Sequence, residues 1–264
     1  MTTAPPAPYD GHDDVVVRVR GLHTAFGKAV IHDNLDLDVR RGEIIGLVGG
    51  SGTGKSVLLE TILGLKTPDA GKVEVLGYDI HDDVGRLAVV SRIGVMFQNG
   101  ALFSSLTVRE NVEAPLIEHT RFPADFICGL AELKIRLAGL PDDAGLKKPS
   151  ELSGGMRKRA GVARAIALDP ELLFLDEPTA GLDPIGAAEF DDLIRRLRDA
   201  LGLTVLMVTH DLDSLYAICD RVAVLADRKV AAIDTVARLE KSDHPWIKSY
   251  FGGPRGRAVQ EKID

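Results

Sequence analysis

The eight residues Gly49-Gly50-Ser51-Gly52-Thr53-Gly54-Lys55-Ser56 constrain this chain more than any other stretch. They match G-x-x-x-x-G-K-[ST], a pattern that average residue usage produces in about one chain per hundred of this length. The flanks narrow it further. Glu43–Val48 is a short apolar run bounded by glycines, which suits a buried central strand, and Leu58, Leu59, Ile62 and Leu63 recur at helical spacing before Gly64. A strand, a glycine-rich curl and a helix in that order point backbone N–H groups inward around an anion, and the helix N-terminus adds partial positive charge. In such a loop Lys55 contacts the β- and γ-phosphates of ATP, and the Ser56 hydroxyl ligates Mg²⁺.

A second motif lies far downstream. Leu172-Leu173-Phe174-Leu175 is strand-like and ends in Asp176-Glu177. In an open α/β sheet, ligands bind outside the carboxyl ends of the strands, so Asp176 is expected beside the loop, holding Mg²⁺ directly or through water. Glu177 is then suited to polarise an attacking water as general base. Alone, a strand ending in Asp-Glu is as readily a solvated turn; the phosphate loop decides between the two.

Strands and helices alternate around these motifs. Val15–Val19, Leu35–Val39, Lys72–Leu76, Ile93–Phe97 and Thr204–Val208 read as strands, while residues 99–168 are mainly helical, with Thr107 and Glu110 forming a capping box. Asp183-Pro184 opens a helix whose Phe190, Leu193, Ile194, Leu197 and Leu201 make one apolar core stripe. The expected organisation is a disordered tail over 1–14, an α/β core over 15–98 and 169–240, an inserted helical subdomain over 99–168, and a C-terminal extension over 241–264. The core sheet should be largely parallel and covered on both faces.

Bulk properties exclude several classes. No apolar run reaches the roughly 20 residues a membrane helix needs. The start, MTTAPPAPYDGHDD, lacks the regions of a secretory signal, which gives a cytoplasmic default. Two cysteines with no Cys-x-x-Cys pair suggest neither a disulfide framework nor a zinc site. A net charge of −7 argues against a broad nucleic-acid face. Arg157-Lys158-Arg159 is better read as a solvated face or as support for a phosphate site. Of the seven histidines, six read as ordinary surface or core residues.

Two further segments resemble a known family. Glu151-Leu152-Ser153-Gly154-Gly155-Met156-Arg157 is similar to the LSGGQ signature of ABC ATPases, departing at Met156, where glutamine is commoner. Asp176–Asp183 resembles the Walker B and D-loop of that family, Val208-Thr209-His210-Asp211 its switch-histidine segment, and Phe97-Gln98-Asn99 its Q-loop. The resemblance runs from about residue 15 to 250. It implies a P-loop NTPase fold: a RecA-like core sheet, an antiparallel β subdomain and the inserted helical subdomain. It also assigns roles. Ser153, Gly154 and Gly155 would bind the nucleotide of a second copy in a head-to-tail ATP sandwich, and His210 would contact the γ-phosphate. Gln98 would contact Mg²⁺ or the attacking water, and Phe26 would stack on adenine.

Finer wording resembles one subgroup. GGSGTGKSVLL (49–59), the stretch from Phe97 to Leu116, the stretch from Glu151 to Pro184 and the ending His244–Gly253 are similar to the ATPases of Mla-type phospholipid transporters and their Mce-associated relatives, and the Met156 variant fits that subgroup. This resemblance implies a multi-span permease at the inner membrane, a Mce-domain lipid-binding protein beyond it, and room for a STAS-domain protein on the helical subdomain. The chain would sit on the cytoplasmic face. An ATPase of another transporter class is the first rival. A non-transport ABC ATPase acting on nucleic acid is the second, and the missing heptad insertion, second cassette and basic face argue against it.

Overall fold

The computed structural model describes residues 14–253; the expected tail before Asp14 and the part of the expected extension past Gly253 lie outside the described residues.

Unbroken apolar runs build the central sheet. β1 (Val15–Phe26) and β2 (Ala29–Arg40) form a long hairpin, followed by β3 (Ile44–Gly49), α1 (Lys55–Ile62), β4 (Ala70–Val75), β5 (Tyr78–Asp79), α2 (Asp83–Val89) and β6 (Ile93–Met96). The helical segment holds α3 (Val108–His119), α4 (Ala124–Leu137) and α5 (Gly154–Ala165). Then come β7 (Leu172–Asp176), α6 (Pro184–Leu201), β8 (Thr204–Val208), α7 (Leu212–Ile218), β9 (Arg221–Ala226), β10 (Lys229–Asp234), α8 (Val236–Leu239) and α9 (Pro245–Phe251). One sheet has the order β10-β9-β3-β8-β7-β6; its strands run parallel except for β10. The other, β2-β1-β4-β5, is antiparallel.

Side-chain alternation along each strand sends successive residues to opposite faces. Leu172, Phe174, Leu206 and Val208 pack with Leu58, Leu59 and Ile62 of α1 and with the inner face of the antiparallel sheet. Leu173, Leu175, Val205 and Met207 pack on the other face with Phe190, Leu193, Ile194 and Leu197, and Leu201 lies partly buried beside them. The apolar stripe of α6 is therefore core. β1 is longer than its apolar start suggests because it pairs with both β2 and β4, and register shifts between Val19 and Leu22 absorb its less regular middle.

The helical segment has its own core, from Val108, Val112 and Leu116 through Ala131 and Ile135 to Ala160 and Ala163. Thr107 caps α3 as its capping-box spacing implies: its hydroxyl accepts the Glu110 N–H at 3.2 Å, and the Glu110 carboxylate accepts the Thr107 N–H at 2.7 Å. Helix α5 and the two residues after it belong to two cores, since Val162, Ala165 and Ile166 face the parallel sheet while Ala160, Ala163 and Ala167 face the helical cluster. Among the described residues no helix is long and apolar enough to cross a membrane.

Candidate nucleotide site

The loop between β3 and α1 tolerates only glycine at two positions. A Cβ on Gly49 would lie 2.5 Å from the Leu225 carbonyl. Gly54 has φ +97, and its Cβ would lie 2.4 Å from Ile31 Cγ2 and 2.6 Å from His32 Nε2. Thr53 Oγ1 donates to the Gly50 carbonyl at 2.9 Å, and Lys55 Nζ donates to the carbonyls of Gly49 and Gly50 at 2.7 and 2.9 Å. Gly54 caps α1 with no side-chain bond and the first turn carries no acidic residue, so no side-chain cap shields the dipole or competes for its N–H groups. Burial holds the Lys55 ammonium below its ordinary proton affinity, with Glu177 and Asp176 pulling the other way. Ser51, Gly52 and Ser56 are exposed along the loop.

Parallel pairing delivers the acidic pair. Asp176 stands opposite Val208 in the β7–β8 register, so Glu177 and the residues after Val208 leave the sheet side by side. Burial raises the Asp176 pKa, and the neighbouring Glu177 and Glu60 raise it further. Glu177 adopts a left-handed backbone, φ +48, which a residue with a side chain holds only when its surroundings fix it. Three contacts do so: its N–H donates to the Val208 carbonyl at 2.8 Å, its carbonyl accepts from Lys158 Nζ at 3.1 Å, and its carboxylate Oε2 lies 2.6 Å from His210 Nδ1. His210 is exposed, unlike an ordinary histidine after a buried strand. The next residue, Asp211, caps α7 through the Asp213 N–H and accepts the Thr179 hydroxyl at 3.2 Å, tying the segment after Glu177 to the segment after His210.

Gln98 leaves β6 as Glu177 leaves β7, since Met96 pairs with Leu175. Its side chain is exposed, and none of the hydrogen bonds described above includes it. The turn it opens is fastened to α5: Arg164 donates to the carbonyls of Ala101 and Gly100 at 2.7 and 3.1 Å, and a Cβ on Gly161 would meet Gly100 Cα at 3.0 Å.

Ser153 caps α5 by accepting the Met156 N–H at 3.2 Å, with Gly154 exposed behind it. Gly154 lines a cleft of about 550 Å³ with Lys158 and with Ala180, Gly181 and Leu182, and no residue of Gly49–Ser56 lines it. Met156, the departure from LSGGQ, packs partly buried against the helical core. Phe26 is 56% exposed, with Lys66 Nζ 4.2 Å from its ring centroid.

The basic triplet on α5 divides. Lys158 is buried and serves Glu177, and Arg159 pairs with Glu189 at 3.2 Å, while Arg157 is exposed. The signal for Lys158 was its spacing, since Gly161, Val162 and Ala165 fall on the same buried helical face. His32, grouped with the ordinary histidines, is fully buried beneath Gly54 and shares a 2.8 Å hydrogen bond with Thr24 Oγ1.

The donor set suits Mg²⁺. Ser56 and Asp176 offer oxygen ligands, and Glu177 and Glu60 add negative charge near Asp176. Among the described residues no group of three His, Cys, Asp or Glu side chains forms a metal site alone, so phosphate oxygens and water would complete the coordination.

Comparisons with known proteins give the family of the chain. The family model described as ABC transporter matches residues 32–180. An intermembrane phospholipid transport system ATP-binding protein, MlaF, of Haemophilus influenzae is 40% identical over 249 residues, covering 94% of each chain. A probable ribonucleotide transport ATP-binding protein, mkl, of Mycobacterium leprae is 37% identical and covers 91% of this chain and 70% of its own. Among solved structures, a dimeric bacterial ABC transporter cassette, MJ0796, superposes with a TM-score of 0.76 at 30% identity, over 83% of this chain and 98% of that one. The cassette cbiO1 of Clostridium perfringens gives 0.79 at 26% identity, over 96% and 100%.

Proposed function

Since the chain belongs to the ABC transporter family, we propose that it is the ATP-hydrolysing subunit of a phospholipid transporter, acting as a pair of copies on a membrane permease. The observation that carries the enzymatic part is the 2.6 Å contact between Glu177 Oε2 and His210 Nδ1, on a glutamate whose left-handed backbone is held from three sides. In this reading the loop N–H groups and Lys55 bind the β- and γ-phosphates, and Glu177 accepts a proton from the attacking water. His210 orients Glu177 and hydrogen-bonds the γ-phosphate. Gln98 senses the same centre and passes its state through Gly100, Ala101 and Arg164 to α5. Mg²⁺, held by Ser56 and Asp176 with Gln98 nearby, would supply charge neutralisation at the phosphates.

Ser153 and Gly154 are exposed, and the cleft that Gly154 lines includes no residue of Gly49–Ser56, which fits a site completed by a second copy. Phe26, exposed at the end of β1, is available for adenine stacking. The phospholipid cargo rests on the 40% identity to MlaF over nearly both whole chains. The permease, a Mce-domain protein and a STAS-domain protein belong to the same reading, as does peripheral attachment to the inner membrane.

Purification in mild detergent, with mass spectrometry of the accompanying proteins and lipids, tests the cargo. A multi-span permease with phospholipid is expected. Recovery with a nucleotide-transporting permease would instead favour the reading drawn from the mkl relative.

A further inference from the structure

Helix α9 reaches both halves of the nucleotide site. Its Ile247 and Phe251 are fully buried in a cluster with Val48, the residue before the phosphate loop, and with Leu212 and Leu215 of α7, which follows the switch histidine. One helical turn apart, Trp246 and Tyr250 stack with centroids 4.7 Å apart and planes at 15°. At one end of this pair, Trp246 Nε1 lies 3.5 Å from where a Cβ on Gly50 would stand. At the other, the Tyr250 hydroxyl donates to the His210 carbonyl at 3.2 Å. Burial, with Asp211 and Glu177 nearby, pushes the Tyr250 phenol up, so it remains a donor throughout the neutral range.

We infer that Trp246 and Tyr250 are positioning residues for ATP hydrolysis, an aromatic strut that fixes His210, and through it Glu177, relative to the phosphate loop. His210 stands between Thr209, whose N–H donates to the Leu47 carbonyl at 3.3 Å, and Asp211, which accepts the Thr179 hydroxyl. The His210 side chain is 68% exposed and its position depends on Glu177 and on its own backbone, whose carbonyl the strut holds. Neither aromatic touches a reacting atom; they act through Gly50 and His210. The inference rests on the ATPase reading and adds to it the C-terminal helix.

Tyr250→Phe removes one hydroxyl and keeps the stacked ring, so the full chain should fold with unchanged Tm. We expect kcat for ATP to fall about three- to tenfold, the range for loss of one such hydrogen bond, with KM within about twofold. Introduced into Glu177→Gln, the same change should have no further effect on residual turnover, because both lie on one path. Trp246 is the sole tryptophan, so its emission reports on the strut directly. ATP should change that emission in the parent over the same concentration range as it binds, and Lys55→Ala should abolish the change. If Tyr250→Phe hydrolyses ATP at the parental rate, or ATP binds without altering Trp246 emission, the strut is merely structural and the inference fails. A parent that binds ATP but does not hydrolyse it would remove the underlying reading as well, which separates the two failures.

Discussion

Lys158 Nζ donates to the main-chain carbonyl of Glu177 at 3.1 Å, joining the signature helix α5 to the proposed general base of the same chain. Burial lowers the Lys158 pKa and the Glu177 charge opposes that shift. Removing the donor leaves the carbonyl of this left-handed residue with only the Ala180 N–H at 3.3 Å, at a cost of about 0.5–1.5 kcal/mol. Lys158→Met, close to isosteric with the aliphatic stem, should therefore lower kcat about tenfold while nucleotide affinity stays within about twofold. Steady-state kinetics beside a nucleotide titration checks this; unchanged kcat would show that Glu177 keeps its geometry unaided.

Lys55 holds the loop carbonyls of Gly49 and Gly50 and stands near Asp176 and Glu177. Lys55→Ala should lose at least about tenfold in ATP affinity, since a charge-assisted contact to phosphate is worth about 1.5–3 kcal/mol. Equilibrium binding of a fluorescent ATP analogue measures it, and parental affinity would refute the role of the loop.

Burial pushes the His32 pKa down to about 4 from an unfolded value near 6.5. Between these values the unfolded chain binds the extra proton, so stability should fall as pH drops from about 6.5 to about 4, by up to about 3 kcal/mol. Asp191 works the opposite way, because burial raises its pKa to about 6 and its folded form takes up a proton over part of the same window. The difference between the parent and His32→Gln isolates the histidine. Denaturant midpoints at pH 7.5 and pH 5 should converge or cross for the two proteins, and an equal pH dependence in both would exclude His32 as the source.

Much of this arrangement was legible beforehand, for physical reasons. The loop Gly49–Ser56 and the strand ending at Asp176 carry local patterns that fix their own geometry, and the alternation along β7 and β8 says which residues face α1 and which face α6. What lay hidden depends on residues distant in sequence. The full length of β1 follows from two partners, one of them β4 across register shifts. Arg157-Lys158-Arg159 reads as a solvated face or as phosphate-site support, and which of them applies to Lys158 depends on the Glu177 carbonyl that folding brings to it; Gly54 is likewise brought over His32 only by folding. The ending His244–Gly253 carries a family resemblance in its sequence, whereas its approach to Gly50 and His210 depends on the path of α9.

In the proposed reaction Glu177 activates the attacking water. ATP turnover by the full chain and by Glu177→Gln, measured with ATP binding on the same samples, tests it most directly. Removal of a general base typically costs about 100-fold or more, so the variant should bind ATP with parental affinity, hydrolyse it at least about 100-fold more slowly and accumulate as a closed dimer. Parental turnover by Glu177→Gln would mean that Glu177 is not the general base.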